Sequence, residues 1–476
     1  MSWITLLLLG VVAFLVYLVL FQPDSRGMPP GPKGLPLVGN IFDLLWENSP
    51  AYFARMGKDY GPVYSIQMMT RRIVVINSSK MLNQAFVKQG DMFNHRPRGT
   101  VLSFIMRGKG IADAEDKVWR DTRRFTLHTL RNFGMGRNKI ETYVDHELQD
   151  FLQACKNNVG QPYNMHYDLA TSILNVVWHM VVGKRYAMGD KTLKWIVDSI
   201  ELSLTLVEQG GFVNYTPMLL QFIYTFFKPR AMKVGINVRH RLELIQALIK
   251  EHKATLDQPD RGSDLMYDFL EEQRKQKDAG EKNSTFTDEQ LMWLCSDIFI
   301  VGLDTTVTTL RWAVLFLVRH PDIQQKLYNE TESTFGRERS PTYEERTNMP
   351  YTEAFMQEVF RFGSITPLAL HGNPEETTLD GYRIPKRTWI VGNVYAVHWD
   401  KQTWGDPENF RPERFLNDKG EISRDLYDHV VGFSVGRRNC LGESLARIEF
   451  FLFLTGMLQK YHVGIPPGDP IPTTDY

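Results

Sequence analysis

The run FSVGRRNCLG at residues 433–442 contains Cys440, one of only three cysteines in the 476-residue chain. Glycines four residues before and two residues after Cys440 indicate a tight loop, because glycine adopts positive φ and lets another group approach the backbone closely. Backbone N–H groups together with Arg437 and Arg438 would favour the thiolate form of this cysteine. A cysteine that merely packs as a small apolar residue would leave these arginines and glycines unexplained.

Five fixed positions in this run, Phe-x-x-Gly-x-Arg-x-Cys-x-Gly, resemble the heme-binding loop of the cytochrome P450 family. In that family the cysteine thiolate is the axial ligand of the iron of heme b and favours O–O cleavage. The resemblance implies that Cys440 is the metal ligand. It also implies that three loop residues contact the cofactor: Phe433, Gly436 and Arg438.

The composition bears on other classes of function. The chain has 55 Lys and Arg residues and 55 Asp and Glu residues, so its net charge gives no indication of binding to nucleic acid. Three cysteines in so long a chain argue against a disulfide framework, and Cys155 and Cys295 are interpreted as small packed residues. A hydrophobic content of 43% is sufficient for a large core.

The N-terminal residues 3–21, WITLLLLGVVAFLVYLVLF, contain no charged side chain. As a helix they would extend about 28 Å, close to the roughly 30 Å hydrocarbon core of a bilayer. We therefore predict an uncleaved transmembrane anchor at residues 1–22, with a cleaved signal peptide as the alternative. Basic residues after the span favour a catalytic domain in the cytosol, and the resemblance implies the endoplasmic reticulum membrane.

The following segment, PPGPKGLP at residues 29–36, predicts a stiff extended connector because proline fixes φ. It resembles the hinge of membrane-anchored cytochromes P450, and we assign residues 23–40 to that hinge. Residues 41–476 are predicted to form one heme-binding catalytic domain. Only 36 residues follow Cys440, so a C-terminal hairpin usual in the family is expected to be missing, whether through a fragment, an incomplete gene model or a shortened enzyme.

Hydrophobic periodicity predicts a mostly α fold with small β-sheets, of the α+β class. The resemblance implies the cytochrome P450-like helical fold that encloses heme, in addition to the N-terminal transmembrane helix. Helices are predicted near 138–155, 166–183, 191–208, 232–255, 288–318 and 321–336. Strands are predicted near 63–67, 72–76, 379–382 and 389–393.

The apolar run SDIFIVGLDTTVTTL at 296–310 is interrupted by Gly302 and by a polar segment. A Thr305 hydroxyl that bonds a carbonyl of the preceding turn would open a groove in this helix. The run resembles the long central helix of the family, which implies that Asp304 and Thr305 are catalytic and deliver protons during dioxygen activation. A buried helix with hydrated threonines explains the run equally well when it is taken alone. Val301 stands where the family usually has Ala or Gly, and it predicts either a narrower distal pocket or altered access of dioxygen.

Glu358 and Arg361 lie three residues apart, on one face of a predicted helix with apolar flanks. A buried Glu–Arg pair requires a further partner for its remaining hydrogen bonds. Arg414 matches the family position that supplies this partner. The resemblance therefore implies a structural triad, without a catalytic role, behind the cysteine loop.

Five side chains match family positions that bind the heme propionates, which are anions in a partly dry site. Each residue alone is more commonly an ordinary surface or core residue, so the assignment depends on their joint fit. They are Arg96, Trp119, Arg123, His371 and Arg438.

Four arginines cluster around one predicted helix, and Asp121 is the only acid among them. The cluster indicates either a hydrated helix face or a docking surface for an acidic electron donor. The resemblance favours docking of a flavoprotein NADPH reductase and admits cytochrome b5 as a second partner. The four residues are Arg120, Arg123, Arg124 and Arg131.

The resemblance covers nearly the whole chain and points to the animal microsomal branch. It implies a membrane-bound monooxygenase that inserts one atom of O₂ into a small apolar substrate, such as a xenobiotic, fatty acid or steroid. Two alternatives are a peroxide isomerase or dehydratase on the same scaffold, and a truncated heme protein without catalysis. Pocket residues assigned by family position are Phe104, Ile105, Phe212, Val301, Leu368 and Leu370.

Overall fold

The computed structural model describes residues 25–474 except 46–47, 134–137, 211–220, 222, 224–226 and 228, together with positions 5, 9, 10, 12, 16 and 19. Within these residues the protein is mostly helical with two small sheets, so the predicted fold class is confirmed. The six predicted long helices are all present, with ends that differ from the predicted ones by at most three residues.

The α-helices are Ser49–Tyr60, Ser79–Leu82, Val101–Met106, Asp116–Asn132, Asn138–Lys156, His166–Val182, Lys191–Gly210, Pro229–Thr255, Leu265–Asp278, Asp288–Arg319, Pro321–Phe335, Pro350–Gly363, Val394–His398, Lys401–Trp404, Arg424–Tyr427 and Glu443–Lys460. A π-helical turn spans Asn83–Lys88. Short 3₁₀ helices span Ile41–Leu45, Tyr343–Asn348 and Pro412–Phe415.

The larger sheet has four strands in the order β1-β2-β6-β3. Strand β2 pairs in parallel with β6, and the other two pairings are antiparallel. Its strands are β1 (Val63–Met68), β2 (Arg71–Ile76), β3 (Leu368–Gly372) and β6 (Trp389–Asn393). The smaller sheet is a hairpin of β4 (Thr377–Leu379) and β5 (Tyr382–Ile384).

The prediction of one strand at 379–382 is wrong. Asp380 and Gly381 both have positive φ, 51° and 80°, and form the two-residue turn between β4 and β5. An Asp-Gly pair favours this type of hairpin turn because both central residues adopt left-handed φ. The strand-like residues on either side therefore pair with each other and do not continue one strand.

The helix Asp288–Arg319, called the central helix below, crosses the main core. Its N-cap is Thr287, whose side chain accepts a hydrogen bond from the backbone N–H of Gln290. Gly302 lets it approach the helix His166–Val182, because a Cβ atom there would lie 3.0 Å from a methyl carbon of Val177. In the part of the chain that the structure describes, this is the one helix long and apolar enough to cross a membrane.

The predicted hinge contacts the larger sheet through β1. The carbonyl of Pro29 accepts the Ser65 hydroxyl at 2.8 Å, and the carbonyl of Pro30 accepts the Ser65 N–H at 2.7 Å. Gly31 is so close that a Cβ atom would lie 1.7 Å from the Ser65 carbonyl oxygen. The proline-rich segment is therefore packed against the body at these residues.

Most of the predicted anchor lies outside the described residues. The described positions within it are helical, and their large apolar side chains are exposed: Leu9, Val12, Val16 and Val19. The boundaries at residues 22 and 40 stay predictions.

Candidate active site

The cysteine loop, residues 433–442, is shaped by contacts that require glycine at one position. Gly436 has φ +81°, and a Cβ atom there would lie 1.8 Å from the carbonyl oxygen of Phe86. The Cys440 N–H donates to the Phe433 carbonyl at 2.8 Å and closes the loop. Gly442 then caps the helix Glu443–Lys460, so Cys440 lies just before a helix N-terminus.

The electrostatics at Cys440 differ from those expected from the sequence. Backbone N–H groups of Gly442 and Glu443 lower the pKa of the thiol, as expected for a helix N-terminus, but burial outweighs them and the net pKa is raised. The cation that lowers it is Arg123, whereas the sequence suggested Arg437 and Arg438. Cys440 is an exposed residue, yet its thiol loses enough hydration for its net pKa to rise.

The two loop arginines instead bind elsewhere. The Arg437 guanidinium pairs with Asp91 at 2.7 Å on the outside of the molecule. Arg438 points inward and donates three hydrogen bonds to backbone carbonyls of Asn94, Ile111 and Ala114, at 2.8, 3.3 and 2.6 Å. Adjacent arginines therefore have different surroundings, one solvated and one buried.

Three guanidinium groups converge next to the cysteine loop. Arg96 donates to the carbonyls of Ala112 and Leu370, at 2.8 and 2.6 Å. Arg123 donates to the carbonyl and side-chain oxygens of Asn439, at 2.9 and 2.6 Å. Burial, followed by the nearby charge of Arg96, lowers the pKa of Arg438 to about 8, although the charge of Glu115 opposes the shift.

Trp119 and His371 complete this group. The Arg438 guanidinium lies 4.2 Å from the ring centroid of Trp119, in cation–π geometry. His371 donates from Nδ1 to the Phe93 carbonyl at 2.7 Å and stacks on Phe86 at 3.9 Å. Burial, followed by the charge of Arg96, lowers its pKa to about 3, so the imidazole is neutral at physiological pH.

This arrangement fits a dianionic cofactor. Among the described residues, none of the three guanidinium groups forms an ion pair with a carboxylate, and each is held by neutral oxygens. The carboxylates of Asp113, Glu115 and Asp297 act on this cluster only from a distance. Clustered, partly dry cations with no anion in direct contact are costly. The two propionates of a heme would supply the missing negative charge, and their partners would lie beside the cysteine that supplies the axial ligand.

Sequence reasoning missed the residues that hold the segment 110–112, whose Ile111 carbonyl accepts a hydrogen bond from Arg438. Asp297 on the central helix accepts the N–H groups of Ile111 and Ala112, at 2.7 and 2.9 Å. Two turns earlier, Gln290 donates to the Gly110 carbonyl at 2.7 Å. The signal was present as two polar residues seven apart in an otherwise apolar helix face.

Glu358, Arg361 and Arg414, the residues of the predicted structural triad, are in direct contact. Arg361 forms two hydrogen bonds to Glu358, at 2.7 and 2.8 Å, and Arg414 binds the same carboxylate at 3.1 Å. Glu358 and Arg361 are fully buried. Each remaining guanidinium donor that the structure describes binds mainly backbone carbonyls, so these charges are well solvated by the protein.

A histidine that sequence reasoning missed joins the triad to the segment just before the cysteine loop. Arg361 donates to the His398 carbonyl at 2.9 Å, and His398 Nε2 accepts the Val431 N–H at 2.9 Å. Burial lowers the pKa of His398 to about 3, which keeps Nε2 free to accept. On the same side, the Phe360 ring packs edge-on against Phe433 at 5.0 Å.

The distal side is formed by the middle of the central helix. The Thr305 hydroxyl donates to the Val301 carbonyl at 2.7 Å, which is the local bond expected from the sequence. Val301 is 54% exposed although Leu303 and Val307 are buried. The valine therefore faces an open space within an otherwise packed helix.

The remaining pocket residues share this exposure in part. Phe104 is 52% exposed, Ile105 46% and Leu370 38%, and Leu368 is half-buried. Phe212 lies outside the described residues. Large apolar side chains left uncovered by the protein are consistent with the lining of an apolar ligand site.

The arginine helix Asp116–Asn132 presents its cations on one exposed face. Arg120, Arg124 and Arg131 are exposed, whereas Arg123 turns inward to the cysteine loop. Asp121 pairs with Lys117 at 2.8 Å and lies 3.9 Å from Arg124. The exposed face keeps a net positive charge and adjoins the candidate cofactor site.

Comparison with known proteins agrees with this geometry. The family model for Cytochrome P450 matches residues 29–476. Human Cytochrome P450 2D6 is 34% identical over 94% of this chain and 89% of its own length. Farnesoate epoxidase of Bombyx mori is 32% identical over 99% and 95%, and Cytochrome P450 2U1 of Rattus norvegicus is 31% identical over 98% and 91%. The chain belongs to the cytochrome P450 family and is a heme-thiolate monooxygenase.

Proposed function

We propose that the protein is a membrane-bound monooxygenase that takes electrons from NADPH through a flavoprotein reductase and oxidises a small apolar substrate. The observation that carries this proposal is a cluster of guanidinium groups beside Cys440 that, within the described part of the chain, form no ion pair with a carboxylate. It matches the charge of a heme and the position of its axial ligand. The family assignment supplies the reaction class.

In this proposal Cys440 ligates the iron, and Arg96, Trp119, Arg123, His371 and Arg438 bind the propionates. Bound in this way, heme with a thiolate ligand supplies the chemistry of dioxygen cleavage. Phe433 and Gly436 shape the cysteine loop that carries the ligand. His371 donates its Nδ1 proton to a carbonyl, so its Nε2 carries no proton. It therefore hydrogen-bonds a propionate through Nε2 only when that propionate is protonated.

We assign proton delivery to Asp304 and Thr305. Asp304 lines a cavity of about 20 Å³, together with His166 and Glu201. This volume holds about one water molecule. In this proposal a water molecule there lets Asp304 exchange protons with His166 and Glu201, and Thr305, one residue later, passes them to the distal side.

The substrate class follows from the pocket lining. Phe104, Ile105, Val301 and Leu370 offer apolar surface with few polar groups, which favours apolar organic molecules. One relative is a farnesoate epoxidase. The retained Asp304–Thr305 pair favours dioxygen chemistry over a peroxide isomerase or dehydratase.

Location and partners are part of the same proposal. We assign residues 1–22 to an anchor in the endoplasmic reticulum membrane, residues 23–40 to a hinge and residues 41–476 to a cytosolic catalytic domain. The exposed arginine face of Asp116–Asn132 is proposed to dock the reductase or cytochrome b5. Association of opposite charges there would mainly increase the rate of encounter.

The test is reconstitution of the full chain with heme and a reductase. The reduced, carbon-monoxide-bound protein should show the red-shifted Soret band of a heme thiolate, and Cys440→Ala should abolish it. Cys155→Ala, which removes a thiol far from the loop in sequence, should keep it. Retention of the band in Cys440→Ala would exclude Cys440 as the ligand. Separately, turnover of the wild-type protein with steroids, fatty acids and planar aromatics would identify the substrate class.

A further inference from the structure

The helix that follows Cys440 carries a carboxyl group in its most apolar part. Glu449 is 1% exposed and lies among buried neighbours that include Phe450 and Phe451. One of its oxygens accepts the Thr306 hydroxyl at 3.2 Å. The other, Oε1, has no hydrogen-bond partner within the described part of the chain.

Three of the four threonines of the central helix divide into two groups by their hydrogen-bond partners. Thr305 and Thr309 donate to carbonyls one turn earlier in their own helix, both at 2.7 Å. This is the usual behaviour of a helical threonine. Thr306 instead donates across to Glu449, from a different helix. It is therefore the one of these three hydroxyls that ties the central helix to the helix after the cysteine.

We propose that Glu449 is a positioning residue for the reaction: through the Thr306 hydroxyl it fixes the turn of the central helix that carries Asp304 and Thr305. This inference rests on the proposed function, because it concerns the geometry of the proton-delivering pair. Glu449 contacts neither substrate nor cofactor in this role. It sets the distance between the helix Glu443–Lys460 and the central helix.

The group performs this role as a neutral carboxylic acid. Burial raises its pKa well above the usual range, and the hydrogen bond from the Thr306 hydroxyl opposes the shift without cancelling it. Arg447, two residues earlier, pairs with Glu443 at 3.0 Å and stacks over Phe433. A carboxylate without a cation at this depth would be strongly disfavoured, so the neutral form is the stable one.

The experiment compares four variants of the reconstituted full-length protein: Glu449→Gln, Glu449→Leu, Thr306→Val and the double variant Glu449→Leu/Thr306→Val. Infrared spectroscopy without substrate should show a protonated-carboxyl C=O band that persists at neutral pH and disappears in Glu449→Gln. This readout needs no turnover, so it separates failure of this inference from failure of the proposed function.

The functional readout is the fraction of NADPH electrons recovered in product, as opposed to hydrogen peroxide. Glu449→Leu and Thr306→Val should each lower this fraction roughly three- to tenfold, the range of one hydrogen bond. Glu449→Gln keeps an acceptor for Thr306 and should stay within about twofold of the wild type. The double variant should lose no more than the worse single one, because both remove the same bond.

Two results would overturn the inference. If Glu449→Gln uncoupled the enzyme as strongly as Glu449→Leu, and shifted the pH profile of turnover, the carboxyl proton and not the position of Thr306 would matter. If the losses of the two single variants added in the double variant, the Thr306–Glu449 bond would not be the shared cause. An unchanged Soret band in all variants guards against a general failure to fold.

Discussion

Gly436 lies so close to Phe86 that a Cβ atom on residue 436 would be 1.8 Å from the Phe86 carbonyl oxygen. The backbone of the cysteine loop thus rests directly on the π-helical turn that contains Phe86. The same phenylalanine ring stacks on His371. Phe86 therefore supports both the backbone of the cysteine loop and the ring of His371, which is proposed to bind heme.

We expect Gly436→Ala to abolish most of the heme-thiolate Soret band. Overpacking costs roughly 1–3 kcal/mol, and the left-handed φ of +81° adds about 1 kcal/mol for a residue with a Cβ atom. Gly442→Ala is the matched control on the other side of Cys440, since a Cβ atom there meets nothing within 4 Å and φ is −94°. A normal band in Gly436→Ala would show that the loop adjusts freely.

Replacement of Arg438 by Leu should accelerate heme loss by roughly 10- to 100-fold, the effect of a hydrogen bond to a charged group. The adjacent Arg437→Leu should change it little, because Arg437 pairs with Asp91 on the outer surface. Transfer of heme to an acceptor protein measures both rates. Equal rates for the two variants would contradict the inward orientation of Arg438.

Asp297 should make stability depend on pH. Burial raises its pKa from 3.8 to about 7, so the folded state binds a proton that the unfolded state releases. Its contribution is fully present below pH 3.8 and is lost as the pH rises through about 7. Asp297→Asn should therefore gain stability relative to the wild type between pH 4 and 7, by at most about 4 kcal/mol, with no further change above pH 8.

Denaturant unfolding of the two proteins across this pH range measures the difference. A constant difference would mean that Asp297 is ionised in the folded protein. Gln290→Glu is not a suitable control for Asp297→Asn. Gln290 donates to the Gly110 carbonyl, and a carboxylate in its place would add a charge of its own.

Replacement of Arg361 by Met should lower the free energy of unfolding by about 3–5 kcal/mol, because it leaves the buried Glu358 carboxylate short of partners. Lys401→Ala is the control, since it breaks an exposed pair with Glu408 and should change stability little. Denaturant midpoints at constant slope give both values. A small effect at Arg361 would mean that Arg414 alone compensates the carboxylate.

Charge reversal on the arginine helix should weaken reductase-supported turnover. Arg120→Glu and Arg124→Glu should raise the KM for reductase, most strongly at low ionic strength, because charge steering is screened over about 10 Å at 0.1 M salt. Their carbon-monoxide spectra should stay normal. Lys191→Glu, the same change at an exposed residue of another helix, should leave the KM unchanged, and an equal increase there would argue against a local docking surface.

The sequence by itself determined the local features of this protein. The Gly-x-Arg-x-Cys-x-Gly spacing indicated a loop that needs positive φ, and apolar periodicity indicated the long helices, because both depend on neighbours along the chain. The miss at 379–382 is also local: the Asp-Gly pair was a turn signal that strand propensity obscured.

Only the tertiary structure decided which side chains meet. Arg438 binds the carbonyl of Ala114, which is 324 residues earlier in the chain, and Thr306 meets Glu449 across 143 residues. No local pattern specifies such partners. When helices and loops pack, they bury polar groups, and each buried group must hydrogen-bond to a group that the packing brings next to it. For the same physical reason the cation that lowers the pKa of Cys440 is Arg123 on a separate helix, and not one of the arginines beside it in sequence.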